Sequence, residues 1–238
     1  MIKVMKIHLR LSNAYLIQGE RAILVDSGCP GESHAIRKAL AGAGLAVDSL
    51  SLLLHTHGHS DHAGSTAELQ RLSGAPVAIH AFDAAMLRSG RNGPLPPTRL
   101  EARLIRPFVD KPFPAVEPDV VFDQELDLAP YGVDGRVVMT PGHTAGSVSV
   151  LLAGGEAIVG DVLMGGFMGG TFQAGKPNLH YFAEDASQVR RSLDFLLAQP
   201  VQTLYVGHGG PLAAEHVRAQ ADRLRAQLAR LRSSGDYQ

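Results

Sequence analysis

Four side chains within six residues could hold and use a metal ion: His57, His59, Asp61 and His62, in the run His55-Thr-His-Gly-His-Ser-Asp-His-Ala-Gly64. Imidazole nitrogens suit zinc, copper, iron or nickel, whereas an oxygen-only ion such as calcium would need several more carboxylates within reach. The cluster directly follows Leu50-Ser-Leu-Leu-Leu54, an apolar run that reads as a buried strand. A strand that delivers three imidazoles and a carboxylate to its own end points to a metal site, and the remaining ligands must come from elsewhere in the chain. Three positions fit. His143 lies in Thr140-Pro-Gly-His-Thr-Ala-Gly-Ser147, Asp161 in Val159-Gly-Asp161 and His208 in Tyr205-Val-Gly-His-Gly-Gly210. Each follows a β-rich run and is flanked by glycine, which lets backbone approach a metal cage closely.

The elements that must position these groups follow from periodicity. Ile2 to Leu11 alternates apolar and polar residues, and Ala14 to Ile17 and Ala22 to Val25 follow across turn signals at Asn13 and Gly19, so the three read as an antiparallel meander. Glu32 to Ala43 reads as a helix closed by Gly42 and Gly44. After the strand at 50–54 come a helix over 66–72 and a strand over 76–80. Strands return at 120–122, 125–128, 136–140, 147–152 and 157–160, with Ala153-Gly-Gly-Glu156 as a hairpin turn. A helix over 184–198, a strand over 203–206 and a final helix over 213–232 complete the chain. In that last helix Val217, Ala221, Leu224, Leu228 and Leu231 recur at helical spacing, which leaves its arginine-rich face solvated. Each half runs from strands into a helix-flanked strand that ends on a chemical residue. The pattern predicts an α/β domain of two packed sheets with helices outside and the site along one shared edge.

Residues 89–118 break this rhythm. Prolines at 94, 96, 97, 107, 112, 114 and 118 are interspersed with Arg91, Arg99, Arg103, Arg106 and Lys111. A segment this long inside one domain is either a lid or binding loop, or a solvated surface loop, and its cations could steer an anionic substrate or simply balance nearby acids.

Composition bounds the rest. With 238 residues, 45% of them hydrophobic, the chain can bury a full core, and one domain over residues 1–238 is the simplest reading. A formal net charge of -1 gives no general attraction to nucleic acid or to an anionic membrane, so a small-molecule substrate is expected. One cysteine, Cys29, excludes an intrachain disulfide and a cysteine-rich zinc site and fits a reducing, cytoplasmic setting. Neither a secretory signal nor a membrane span of ~18 apolar residues is expected.

With these residues in view, the sequence resembles the metallo-β-lactamase superfamily. His57-Gly-His59-Ser-Asp61-His62, His143, Asp161 and His208 stand in the order of that family's ligand motifs, and Asn13-Ala-Tyr-Leu-Ile17 and Ile23-Leu-Val-Asp26-Ser-Gly28 resemble its opening strands. The resemblance runs over about residues 1–212 and implies a four-layer αββα sandwich of two mixed β-sheets flanked by helices. It also implies a two-metal site in which His57, His59 and His143 hold one divalent ion, Asp61, His62 and His208 hold the other, and Asp161 bridges them. Zinc is the first expectation, with iron or manganese as alternatives. A metal pair of this kind lowers the pKa of a shared water and polarises a carbonyl or phosphoryl oxygen, with no side-chain nucleophile. Asp61 is then placed to orient that water or to take its proton, and Asp26 is a candidate acceptor for a ligand imidazole N–H.

Other histidines carry less weight. His8, His34, His80 and His216 read as surface or packed residues, and His55 as core or as a support for the ligands. His180, in Pro177-Asn-Leu-His-Tyr-Phe182, lies where the family's loops border the substrate cleft and is a candidate substrate contact. The run Met164-Gly-Gly-Phe-Met-Gly-Gly-Thr-Phe172 reads as a mobile apolar wall suited to an acyl or other greasy substrate, with Met164 and Phe167 as contacts.

The bridging carboxylate implies a branch. Class B β-lactamases lack it, so Asp161 directs the expectation to the glyoxalase II, lactonase and related hydrolases. Only 30 residues follow His208, one helix in place of glyoxalase II's helical glutathione-binding region, and Met164 stands where lactonases place a tyrosine. The resulting expectation is a binuclear hydrolase acting on an ester, thioester or lactone carbonyl. The alternatives are a phosphodiesterase with the same ion pair, a β-lactamase, an iron-dependent oxidative relative and a metal-binding module without turnover.

Overall fold

Alternating apolar residues build the first sheet, and a computed structural model describes residues 2–233 of the chain. Strands β1 (Lys3–His8), β2 (Asn13–Gln18) and β3 (Ala22–Val25) form the expected antiparallel meander. Helix α1 (Ser33–Gly42) then leads into β4 (Leu50–Leu54), which pairs in parallel with β3. The short helix α2 (Ser60–Ala63) and α3 (Thr66–Ser73) connect to β5 (Val77–His80), α4 (Ala84–Ser89) and α5 (Leu100–Val109) follow, and β6 (Val120–Phe122) closes a six-stranded mixed sheet.

The second sheet also has six strands, in the order β14-β13-β10-β9-β8-β7. They are β7 (Leu126–Asp127), β8 (Gly135–Met139), β9 (Val148–Leu152), β10 (Glu156–Gly160), β13 (Thr203–Val206) and β14 (Leu212–Ala213), all antiparallel neighbours except β10 with β13. Between β10 and β13 the chain forms a separate hairpin, β11 (Met164–Phe167) with β12 (Phe172–Asn178), and then α6 (Ala186–Ala198). Helices α7 (Ala214–Ala219) and α8 (Ala221–Ser233) end the described chain.

The period of two decides which face each side chain covers. Tyr15, Ile17, Ile23, Val25, Leu52 and Leu54 point inward and meet Val137, Val148, Val150 and Ile158 of the second sheet. Ala14, Leu16, Leu24 and Leu53 point outward and are covered by Ile36, Leu40, Leu69 and Leu87 of the helices. On the far side Ala157, Val159, Leu204 and Val206 are covered by Val189, Leu193 and Leu196 of α6 and by Val217, Leu224 and Leu228 beyond it. Strands covered on both faces read as continuous apolar runs, which is why 50–54 looked fully buried in sequence. The outcome is the αββα sandwich. Among the described residues no helix is long and apolar enough to cross a membrane.

Three local readings change. The proline-rich segment contains α5, because its prolines bracket the helix at 94–97 and 112–118; Pro107 alone falls inside, where it removes one backbone donor. The final helix divides at Gln220 into α7 and α8. The glycine-rich stretch at 164–172 is the β11–β12 hairpin, whose turn occupies 168–171.

The sheets are also tied at the end that carries the chemistry. Tyr15 Oη and Asn13 Nδ2 of β2 both donate to the carbonyl of Val206 in β13, at 2.6 and 2.9 Å. The Asn13 backbone N–H donates to the carbonyl of Gly207 at 2.7 Å. Replacing Tyr15 with Phe removes its bond to Val206 and the 3.3 Å bond it accepts from Asn13 Nδ2, while Asn13 still donates to Val206, so urea unfolding should show a loss of about 1 kcal/mol.

Candidate metal centre

Every side chain of the cluster hangs from the end of a strand. His57, His59, Asp61 and His62 follow β4, His143 follows β8, Asp161 follows β10, His180 follows β12 and His208 follows β13. Asp161 lies at the middle. Its Oδ2 is 3.1 Å from His180 Nε2, 3.3 Å from His208 Nε2, 3.5 Å from His143 Nε2, 3.6 Å from His62 Nε2 and 3.9 Å from His57 Nε2. Asp61 Oδ2 sits beside the same group, 3.5 Å from His208 Nε2 and 3.8 Å from His62 Nε2. This crowding explains Gly207: a Cβ there would lie 2.0 Å from Asp161 Oδ1 and 2.7 Å from His62 Cε1.

The outer nitrogens show how the rings are aimed. His62 Nδ1 donates to Asp26 Oδ2 at 2.8 Å, His143 Nδ1 to the carbonyl of Phe182 at 2.9 Å and His208 Nδ1 to the carbonyl of Leu11 at 2.7 Å. His57 Nδ1 reaches Thr56 Oγ1 at 3.1 Å, and that hydroxyl donates onward to Asp26 Oδ2 at 2.8 Å. In each ring the tied nitrogen turns Nε2 inward in its bare, acceptor form. His59 is the exception, with Nδ1 facing His143 Nε2 at 3.0 Å. That spacing is close to the ~3.4 Å expected of two nitrogens on one tetrahedral zinc.

Two acidic residues organise this shell. Asp26 takes both the backbone N–H and the hydroxyl of Thr56 besides His62, and it does so from a left-handed backbone at φ 62, a conformation that bulky residues avoid. Burial pushes its carboxyl up, but His62 and His55 outweigh burial and hold it below the usual carboxylate range. The second is Asp83, which no motif singled out. It is fully buried and accepts from the Gly58 N–H at 3.0 Å, the Thr144 hydroxyl at 2.7 Å and the Gly146 N–H at 2.9 Å. Gly58 lies between His57 and His59, and Thr144 follows His143, so one carboxylate clamps loops from both sheets. Its only trace in sequence is an acid at the foot of a short apolar helix, a pattern too common to act upon.

A cation fits these residues. The Nε2 atoms of His57, His62 and His208 and Oδ1 of Asp161 are buried without a hydrogen-bond partner, a costly arrangement for polar atoms unless an ion takes them. Their ligand atoms fall into sets that lie within 4.8 Å of one another: His57 with His59 and His143, Asp61 with His62 and His208, and Asp161 with His57 and His62 or with His143 and His180. The field also favours positive charge. Burial disfavours a charged His62, yet Asp161, Asp61 and Asp26 overcome it and raise its pKa well above the ordinary value; His208 is raised in the same way, chiefly by Asp161. Burial, reinforced by neighbouring imidazoles, holds His57, His59 and His180 well below, in the neutral form a metal requires.

The seven side chains expected as ligands therefore lie together, and Asp26 Oδ2 meets His62 Nδ1. His180 comes closer than a substrate contact needs, directly against Asp161. Phe167 lines the cleft above the cluster, but Met164 is fully buried in β11 and the neighbouring Met168 takes its place, because the hairpin register turns Met164 inward. His55 is buried against Thr66 and Asp26. His80 packs with Phe82 and Phe122, whereas His8, His34 and His216 are exposed. Cys29 supplies no nucleophile: burial, then Asp61 and Glu32, push its thiol up to about 12.

Comparison with known proteins agrees with this geometry. The metallo-beta-lactamase superfamily model matches residues 9–208. A probable metallo-hydrolase of Methanocaldococcus jannaschii is 27% identical over 202 residues, covering 83% of this chain and 87% of that one. A hydroxyacylglutathione hydrolase of Acidiphilium cryptum is 31% identical over 214 residues, covering 87% of this chain and 71% of that one. The solved MIM-2 metallo-beta-lactamase superposes with a TM-score of 0.72 at 23% identity, over 98% of this chain and 88% of that one, a likeness of fold. The chain belongs to the metallo-β-lactamase superfamily. With its histidine and aspartate clusters, it is a metal-dependent hydrolase of that superfamily.

Asp83 makes the test of this shell. In Asp83→Asn the amide keeps one acceptor and presents an NH2 to backbone donors, so metal should leave the His57, His59 and His143 set at least about tenfold faster in chelator competition. Unchanged metal release together with a lower Tm of the stripped protein would reduce Asp83 to a scaffold residue.

Proposed function

We propose that the protein hydrolyses an ester, thioester or lactone carbonyl at a binuclear centre, with His57, His59 and His143 holding one divalent ion, Asp61, His62 and His208 the other, and Asp161 between them. Zinc is the ion we favour for this nitrogen-rich set. The observation that carries the reading is that His59, Asp61, Asp161, His180 and His208 of this cluster form the floor of a 580 Å³ cleft whose walls are mostly apolar and include Leu95, Ile105, Phe108, Phe167, Met168 and Phe182. Ions held by these residues would acidify a bound water toward neutral pH and polarise the carbonyl oxygen.

The chain's own groups do the rest. Asp61 is the most exposed ligand carboxylate, and its Oδ atoms border the cleft, where they can receive the proton of the attacking water. His180, whose Nε2 also faces the cleft floor, can donate to the carbonyl oxygen as charge develops on it. The balance is simple: the acyl carbon gains a hydroxyl, the C–O or C–S bond breaks, and the leaving group takes the proton.

Of the cations expected to favour phosphodiester substrates, few reach the cleft. Arg99 is the arginine that lines it, but its guanidinium donates to Asn178 Oδ1 at 3.3 Å and the carbonyl of Leu179 at 3.0 Å and lies over the Tyr181 ring. Arg88 pairs with Glu117 and Arg106 with Asp110.

A panel of p-nitrophenyl ester, thioester, lactone, bis-p-nitrophenyl phosphate and cephalosporin tests the reaction class; turnover of the phosphate or the cephalosporin alone would refute the carbonyl-ester reading. Elemental analysis should find two ions per chain, and Asp161→Ala should weaken both; two tightly held ions in that variant would refute its bridging role. Chelation should abolish activity and lower Tm, with both restored by zinc, since binding to the folded state alone stabilises it.

A further inference from the structure

We infer, building on that hydrolytic reading, that the substrate carries a long, uncharged apolar chain held between α5 and the β11–β12 turn. Large apolar side chains are exposed where the cleft opens. On one side stands Phe108 at 75% exposure, with Leu104 at 73% one helical turn before it, and on the other stand Met168 at 67% and Phe167 at 40%. Leu100, Leu104 and Phe108 repeat every four residues and so share one face of α5.

That face is more apolar than packing requires. Within α5 only Ala102 is fully buried, and the helix rests on a small cluster with Leu95 and Phe182, joined by Ile105, Val109 and Tyr181. A helix needs one apolar stripe to pack, but here a second stripe at 100, 104 and 108 continues from the cleft wall into solvent. Apolar surface gathered at the mouth of a reactive cleft marks a binding site rather than scatter.

Charge complementarity selects the occupant. The acidic groups in the cleft lining are Asp61, Asp161 and Glu101, and its arginine, Arg99, already donates through Nη2 to Asn178 and Leu179 and lies over the Tyr181 ring. An anionic carrier such as a phosphorylated or carboxylate-bearing thiol would face Glu101 and would have to draw Arg99 away from Asn178, Leu179 and Tyr181. An uncharged chain can follow the apolar wall of Leu95, Ile105, Phe108, Phe167 and Met168, and its reactive carbonyl reaches the floor formed by His59, Asp61, Asp161, His180 and His208.

The test uses metal-loaded full-length protein and a series of p-nitrophenyl esters from acetyl through butyryl and octanoyl to dodecanoyl. kcat/KM should rise at least about tenfold from butyryl to octanoyl, and an octanoyl chain ending in a carboxylate should lose that gain. Leu104→Ser with Phe108→Ser should cut the octanoyl-to-acetyl ratio about tenfold, read as a ratio so that partial misfolding cancels. A flat chain-length profile with ester hydrolysis intact would overturn the inference and leave the hydrolytic reading standing; failure to cleave any ester or thioester would sink that reading itself. If the double variant instead converts a dimer to a monomer and keeps the ratio, the stripe belongs to a second copy and the inference is wrong.

Discussion

A carboxylate buried among five imidazoles is the constraint on which the rest depends. Asp161 is 4% exposed, and burial alone would drive it toward the neutral acid. His180, His208, His62 and His143 reverse this and hold it well below the usual range. An ionised carboxylate in such a place needs concentrated positive charge, and the protein supplies either protons on His62 and His208 or the cations that its bare nitrogens are shaped to take. The dense packing of strand ends, the absence of a side chain at Gly207 and the cross-sheet tie at Asn13 and Tyr15 all serve this geometry.

Holding rings that tightly requires a second layer of fixed acceptors. Asp26 and Asp83 divide the work by direction. Asp26, at the end of β3, fixes His62 directly and His57 through Thr56, all on the first sheet. Asp83, at the start of α4, bonds the loop after β4 to the loop after β8 and so sets one sheet's ligands relative to the other's. His143 and His208 lean on the backbone carbonyls of Phe182 and Leu11, which places the ends of two further loops under the same constraint. Loss of any one acceptor frees a ring to rotate, and a metal site tolerates little rotation.

How much of this was legible in sequence depended on range. His57, His59, Asp61 and His62 share one turn, so their spacing alone announced them, and His143, Asp161 and His208 each stood at the end of an apolar run beside glycine. Tertiary partners left weaker marks. Asp83 is a lone acid before a short helix, and its role exists only because the chain brings Gly58 and Gly146 to it from 25 and 63 residues away. The prolines hide helix α5 in the sequence: their density over 94–118 reads as loop, although all but Pro107 lie beyond the helix ends. Met164 and Met168 are both methionines beside paired glycines, and only the register of β11 against β12 decides which of them reaches the cleft.

The two parts of the site thus rest on different physics. Its floor is made of short charged and polar groups whose positions are fixed several times over by strands and hydrogen bonds, so its chemistry cannot drift far from metal-assisted hydrolysis. Its walls come from α5 and the β11–β12 turn, which lie outside both sheets and contribute few residues to the main cores. Elements anchored by a small satellite cluster open at lower free energy than core strands, so the walls can adjust to an occupant while the floor stays rigid. Reaction type and substrate choice are therefore separable in this fold: the first is set where two sheets meet, the second where a lightly held helix offers leucine and phenylalanine to whatever enters.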